Sequence, residues 1–101
     1  MIWRIHLHKL VIADDLAVMT PACREKILKA VNRKLSLDPE AYGKPLTGEF
    51  KGYWRLRVDD YRVIYRIVKG QVLVVVVKIG ERKDDQVYAK LSGRLKRVAF
   101  E

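Results

Sequence analysis

Residues 53 to 66 read Y-W-R-L-R-V-D-D-Y-R-V-I-Y-R, and this stretch constrains the fold more than any other. Alternation on both sides of a short acidic pair predicts a β-hairpin. With Asp59-Asp60 as a two-residue turn, Val58 faces Tyr61, Arg57 faces Arg62, Leu56 faces Val63 and Trp54 faces Tyr65. Facing residues lie on one side of a sheet, so the register sorts the side chains. Trp54, Leu56, Val58, Tyr61, Val63 and Tyr65 fall on one side. Tyr53, Arg55, Arg57, Arg62, Ile64 and Arg66 fall on the other. A slip by one residue would scatter the arginines over both sides, whereas this register gathers all four.

A second turn at Lys69-Gly70 predicts that Leu73, Val75 and Val77 lie beside Arg66, Ile64 and Arg62. The run L-V-V-V-V (73–77) is apolar at every position, as a central strand covered on both faces requires. The arginine side therefore has an apolar floor with cations standing on it. Like charges directly opposite each other destabilise a sheet, so Arg57 across from Arg62 needs a counter-charge. Either Asp59, Asp60 or Glu81 supplies it, or a bound anion does. Guanidinium suits a phosphate through its planar fork of donors.

The rest of the chain supplies the scaffold. Ile2 to His8 alternates Trp3, Ile5 and Leu7 against Arg4 and His6, which predicts a strand. Residues 9 to 18 lose that alternation and predict a short helix. A second helix starts at Thr20 as N-cap, with Pro21 in its first turn, and closes at Asp38-Pro39. Residues 38 to 52 hold Pro39, Pro45 and three of the six glycines, and they predict a loop between a helical half and a strand half. Strands follow at about 53–58, 61–68 and 71–79. Residues 85–96 place Val87, Leu91 and Leu95 on one side of a closing helix. The expected fold is α+β, in the order β-α-α-β-β-β-(α). Its two N-terminal helices pack on one face of a mostly antiparallel four-stranded sheet, and residues 1–101 form a single domain.

Charge narrows the partners. Lysine and arginine number 21 against 12 acidic residues, a formal charge of +9, which favours RNA, DNA or an acidic protein. Cys23 is the only cysteine, so no internal disulfide forms, and its spacing with Ile27, Val31 and Leu35 makes it a core residue. No apolar run reaches the roughly 18 to 20 residues of a membrane span. The start, M-I-W-R-I-H-L-H, lacks the layout of a signal peptide, and a cytoplasmic protein is expected. His6 and His8 lack a third ligand at sensible spacing, so no metal or other cofactor is expected. Trp3, Trp54 and Tyr61 are expected in the core, and Lys26, Lys29, Arg33 and Lys34 on the solvated face of the second helix.

Past the central strand comes I-G-E-R-K-D-D-Q-V-Y, which puts Arg82 and Tyr88 beyond a strand end, where loops carry function. Several cations and a tyrosine suit phosphate chemistry on RNA, whose 2′-hydroxyl is a built-in nucleophile. A protein has then to align that hydroxyl, stabilise the added negative charge and move two protons.

Taken together, G-K-P-L-T-G, G-Y-W-R-L-R-V-D-D-Y-R-V-I-Y-R-I and V-K-I-G-E-R-K-D-D-Q-V-Y resemble the RelE/ParE toxin superfamily over about residues 2–95, on its RelE-like, mRNA interferase branch. The resemblance implies the toxin of a type II toxin-antitoxin pair, a ribosome-dependent endoribonuclease that cuts mRNA in the A site without a metal. It assigns Arg55, Arg57, Arg62, Arg82 and Tyr88 to catalysis. The arginines would hold the scissile phosphate, while Tyr88 would assist proton transfer or stack on a base. Lys51, Tyr53, Arg66, Lys78 and Lys83 are the expected RNA contacts. Many members carry lysine on the strand before the hairpin, where this chain has Arg55 and Arg57. Help for the leaving oxygen then falls to Lys51, Lys78, Lys83 or to arginine charge alone. The implied partners are a cognate antitoxin, acidic where it meets the arginines, and mRNA on the ribosome. The alternative within the same superfamily is a ParE-like gyrase inhibitor that binds without cutting.

Overall fold

The computed structural model describes residues 2–81 and 87–98. Five strands form one sheet in the order β1-β5-β4-β3-β2. They are β1 (Arg4–Leu7), β2 (Lys44–Pro45), β3 (Tyr53–Val58), β4 (Tyr61–Val68) and β5 (Leu73–Glu81). The β1–β5 pair is parallel and the other three pairs are antiparallel. The helices are α1 (Pro21–Leu35), α2 (Pro39–Tyr42) and α3 (Val87–Val98). The α+β class and the element order agree with the sequence expectation. The sheet gains a fifth strand, because two residues of the expected loop, Lys44 and Pro45, pair with Arg55 and Trp54.

The first hairpin has the expected register, with Arg57 opposite Arg62 and Trp54 opposite Tyr65. Its turn puts Asp59 at φ +50°, a left-handed conformation that aspartate tolerates better than most residues. The second hairpin differs. Its connection runs through Lys69–Gln71 and Val72, so that Val68 pairs with Leu73 and Arg66 with Val75. That is a shift of two residues from a two-residue turn at Lys69-Gly70, and a shift of two leaves every side chain on its expected face. A β-bulge at Ile64/Tyr65 then inserts Val77, so Tyr65 pairs with Val76 but Ile64 with Lys78. Beyond the bulge the parity is reversed. Lys78 leaves the face that carries Val74 and Val76, and Ile79 replaces it in the core opposite Val63.

Two apolar clusters flank the sheet. On one side Ile27, Val31 and Leu35 of α1 meet Leu56, Val58, Val63, Tyr65, Val74, Val76 and Ile79. The start of α1 follows its sequence, since the Thr20 hydroxyl accepts the Cys23 amide at 3.2 Å and Pro21 occupies the first turn. Cys23, Trp3, Trp54 and Tyr61 pack against this cluster, as expected. The short helix expected at 9–18 ends in a π-helical turn, Val11–Asp15, closed by the Leu16 amide donating to the Val11 carbonyl at 2.9 Å. On the other side Ile64, Val75, Val77 and Leu91 form the second cluster, joined by Leu46, Phe50, Tyr53, Tyr88 and Leu95. The closing helix α3 thus lies on the face opposite α1, while the two N-terminal helical segments share one face as expected. The apolar run 73–77 of β5 demands this arrangement, because both of its faces need cover. No helix among the described residues is long and apolar enough to cross a membrane.

Gly43 is required by a close approach. A Cβ there would fall 1.8 Å from the Tyr65 hydroxyl, which donates to the Pro39 carbonyl at 2.6 Å. This buried bond ties α2 to the sheet beside β3.

Candidate active site

The face beneath α3 carries the site. Pairing across β3 and β4 puts Arg57 against Arg62, Arg55 against Ile64 and Tyr53 against Arg66. On β5 the residue opposite Arg62 is Gly80, so this row of the sheet reads Arg57, Arg62 and a position with no side chain. Arg57 is exposed, whereas Arg55 and Arg62 are half-buried. The Nε groups of both Arg55 and Arg62 are buried and have no hydrogen-bond partner among the described residues. Buried donors in native proteins are normally paired, so two orphans on one face mark a place where an acceptor is missing.

The acids among the described residues do not fill that place. Asp59 lies 2.5 Å from Lys26 Nζ, on the outer side of α1. Among the described residues, no carboxylate lies within ion-pair distance of Arg55, Arg57 or Arg62. Of the two counter-charges that the sequence allows, an intramolecular carboxylate is therefore not the one found.

Tyr88, near the start of α3, completes the group. The Arg62 guanidinium carbon stands 5.6 Å from the centre of its ring, a cation–π contact that orients both groups. Phe50 packs on Tyr88 with ring centroids 5.6 Å apart and planes inclined by 39°. Phe50 ends the single 3-10 turn Gly48–Phe50 in the glycine-rich loop. Sequence reasoning missed it, because a lone aromatic in a loop has no periodicity to show where it points.

The other expected contacts divide. Tyr53 is half-buried in the apolar cluster on the same face, and Lys51 is exposed just before β3. Arg66 shares the face but stands four residues along β4 from Arg62, roughly 13 Å at strand spacing. It lines a separate cleft with His6, His8 and Lys9. Lys78 departs from the expectation of an RNA contact. Its side chain is buried and its Nζ donates to Asp15 Oδ1 at 2.9 Å, so its charge is already held by a partner 63 positions away in the chain. Arg82 and Lys83 lie outside the described residues. Among the described residues no three His, Cys, Asp or Glu side chains come together to hold a metal ion.

One group gains importance from the structure. Lys26, Lys29, Arg33 and Lys34, expected only to solvate α1, line a cleft of about 570 Å³ together with Arg57. Arg57 thus belongs both to the arginine face and to this basic cleft, and positive charge runs over the exposed edge of β3 from one to the other. Chemically, the arrangement can bind a phosphate between guanidinium groups, hold an aromatic ring beside it and extend a polyanion's contacts along α1.

Residues 10–86 match the family model described as ParE toxin of type II toxin-antitoxin system, parDE. The toxin RelG of Mycobacterium tuberculosis is 31% identical over 70 residues, covering 69% of this chain and 80% of RelG. The toxin YoeB of Streptomyces coelicolor is 37% identical over 57 residues, half of this chain and 68% of YoeB. Among solved structures, the toxin-antitoxin complex RelBE2 of M. tuberculosis includes a chain that superposes with a TM-score of 0.77 at 26% identity, over 83% of this chain and 95% of that one. The chain therefore belongs to the ParE toxin family of type II toxin-antitoxin systems, on the RelE-like side of the RelE/ParE superfamily.

Proposed function

We propose that this toxin cleaves mRNA on the ribosome, in the A site, by directing a ribose 2′-hydroxyl at the adjacent phosphate. The observation that carries the reading is the pair of buried Nε donors of Arg55 and Arg62 that lack a partner among the described residues, set beside the Arg62–Tyr88 contact, with no described carboxylate paired to either arginine. In the proposed step the 2′-oxygen bonds to phosphorus and the bond from phosphorus to the 5′-oxygen breaks. A 2′,3′-cyclic phosphate and a 5′-hydroxyl result. One proton leaves the attacking hydroxyl and one reaches the departing oxygen.

Arg55, Arg57 and Arg62 hold the phosphate and the charge it gains as the new bond forms, where fixed donors act most strongly. Arg82 joins them by family resemblance alone. Tyr88, oriented by Arg62 and Phe50, either relays the proton of the attacking hydroxyl or stacks on a base and fixes the sugar. Arginine stays protonated and is a poor acid, and Lys78 is engaged by Asp15. Guanidinium charge, with Lys51 or Lys83 alongside, is left to stabilise the departing oxygen. Lys26, Lys29, Arg33 and Lys34 dock the toxin on the phosphate backbone around the A site. An antitoxin with acidic residues at its interface would neutralise the arginine face, in keeping with the antitoxin in the RelBE2 complex.

The match to the ParE family model keeps inhibition of DNA gyrase as the second reading. Primer extension on translating ribosomes separates the two. Purified toxin is expected to give cuts within A-site codons, abolished by Arg62→Ala. Absence of cuts together with a block of gyrase supercoiling would overturn the nuclease reading. Tyr88→Phe separates the two roles of Tyr88, since stacking survives that change and proton relay does not.

A further inference from the structure

We propose that Asp15 and Arg94 are positioning residues for Tyr88: their buried ion pair fixes the register of α3 on the sheet and so holds the Tyr88 ring against Arg62 and Phe50. The proposal rests on the role given to Tyr88 above, but its geometric half stands by itself.

The pair exists because β1 is short. It covers β5 only from Leu73 to Val76, which leaves the C-terminal half of β5 with an edge that lacks a strand partner. Side chains occupy that edge instead. Asp15 Oδ2 accepts the Ile79 amide at 2.9 Å, and Arg94 Nη1 donates to the Val77 carbonyl at 3.2 Å. The two side chains then join each other in a fork. Arg94 Nη1 donates to Asp15 Oδ2 at 2.6 Å and Nη2 donates to Oδ1 at 3.0 Å. Lys78 adds its bond to Oδ1, and Asp14 stands 3.6 Å from Nη2. The Asp15 side chain is 2% exposed and that of Arg94 9%.

Besides the Arg62–Tyr88 contact itself, an apolar cluster holds α3 against the sheet. Leu91 and Leu95 sit in the cluster with Ile64, Val75 and Val77. Apolar contact is non-directional and tolerates a helix that slides or turns by a fraction of a step. A bidentate guanidinium–carboxylate pair does not, since its two bonds demand one orientation. Tyr88 and Arg94 are six residues apart on one rigid helix, about 9 Å along its axis. A slip of one residue at Arg94 would move Tyr88 by about 1.5 Å and turn it by about 100°, away from Arg62. Asp15 is therefore tied to the catalytic face by a chain of contacts from the π-helical turn through α3 to Tyr88.

Arg94→Met is the direct test. It keeps an apolar stem and leaves Asp15 paired with Lys78 and the Ile79 amide, so no buried charge is stranded. In protein labelled at tyrosine, nuclear Overhauser contacts between the Tyr88 and Phe50 rings are expected to be lost or weakened, although the toxin stays folded. Unchanged ring contacts would overturn the proposal, whatever the activity. On ribosomes the turnover rate is expected to fall about tenfold or more, with the half-saturating ribosome concentration unchanged. Added to Tyr88→Ala, Arg94→Met is expected to lower the rate no further, because Arg94 acts through Tyr88. A full further loss in that background would make Arg94 a general structural residue and refute the proposal. If Tyr88→Ala alone leaves cleavage intact, the nuclease role of Tyr88 fails, and the ring contacts still decide the geometry. Arg94→Lys keeps the charge without the fork and serves where Arg94→Met fails to fold. Native ring contacts in Arg94→Lys would show that charge suffices and that the fork sets no register.

Discussion

Replacing Arg57 by threonine should stabilise the isolated toxin while disabling it. Arg57 lies directly opposite Arg62, and no carboxylate among the described residues pairs with either. Two unit charges some 6 Å apart in water repel by about 0.7 kcal/mol. Cross-strand pairs on sheets are worth roughly 0.2–1 kcal/mol, so both routes give the same scale. Threonine also favours a strand more than arginine does on β propensity. The expected gain of about 0.5–1 kcal/mol would raise the melting temperature of a domain this size by about 2–8 °C. The assay is thermal and urea unfolding at low salt and again at 1 M sodium chloride. There the Debye length shrinks to about 3 Å, and most of the gain should vanish. Inorganic phosphate should stabilise the parent more than the variant, because only the parent keeps the full arginine set. Cleavage on ribosomes should fall by about 100-fold, the scale on which one charge-stabilising donor matters. A variant less stable than the parent at low salt would refute the reasoning, since Arg57 would then have a favourable partner in the free protein.

Three further outcomes follow from the scaffold. Gly43→Ala places a methyl 1.8 Å from the Tyr65 hydroxyl and should cost about 1–3 kcal/mol in urea unfolding by breaking the bond to Pro39; a neutral effect would mean that α2 shifts freely. Val72→Asn should stabilise by about 1 kcal/mol, because Val72 sits at φ +49°, a conformation that β-branched residues adopt at a cost and asparagine tolerates. Burial pushes the Tyr65 phenol above its ordinary range, and a hydrogen bond with Cys23, followed by burial, pushes Tyr61 up to about 12. Both favour folding while protonated, so their contribution is whole below the ordinary phenol value near ~10 and declines as pH rises through the higher folded values. Urea midpoints between about pH 9 and 12 should fall less steeply for Tyr65→Phe, and an identical slope would exclude Tyr65 as a cause.

The first hairpin was legible in the sequence because three signals coincide there: a turn pair, strict alternation, and a register that gathers like side chains. The second hairpin was legible only in its faces. A slip of two residues moves no side chain to the other face, and nothing in L-V-V-V-V-K marks which valine is the extra one. The two-residue strand β2 is too short to carry any period. The role of Lys78 was hidden for another reason. Alternation alone puts it beside Val74 and Val76, the bulge moves it to the other face, and its partner Asp15 comes from the far end of the chain. Arg55, Arg57 and Arg62 share one face because strand parity puts them there, and Tyr88, singled out by its place beyond the central strand and by the family resemblance, meets that face at Arg62, whereas Phe50 and the cleft along α1 depend on tertiary packing.

The place of β1 also governs how this molecule comes into being. Arg4 to Leu7 pair with Leu73 to Val76, 69 positions further on, so the first strand to be synthesised waits for the last. Contacts of such long sequence separation slow folding, because a large loop must close before they form. The first hairpin is local and can zip early, but β5 has no parallel neighbour until the chain's start returns to it. Asp15 likewise must wait for Lys78 and Arg94. A nascent chain therefore carries its arginine face before it can place Tyr88 against Arg62, and the assembled face belongs only to a chain synthesised through α3.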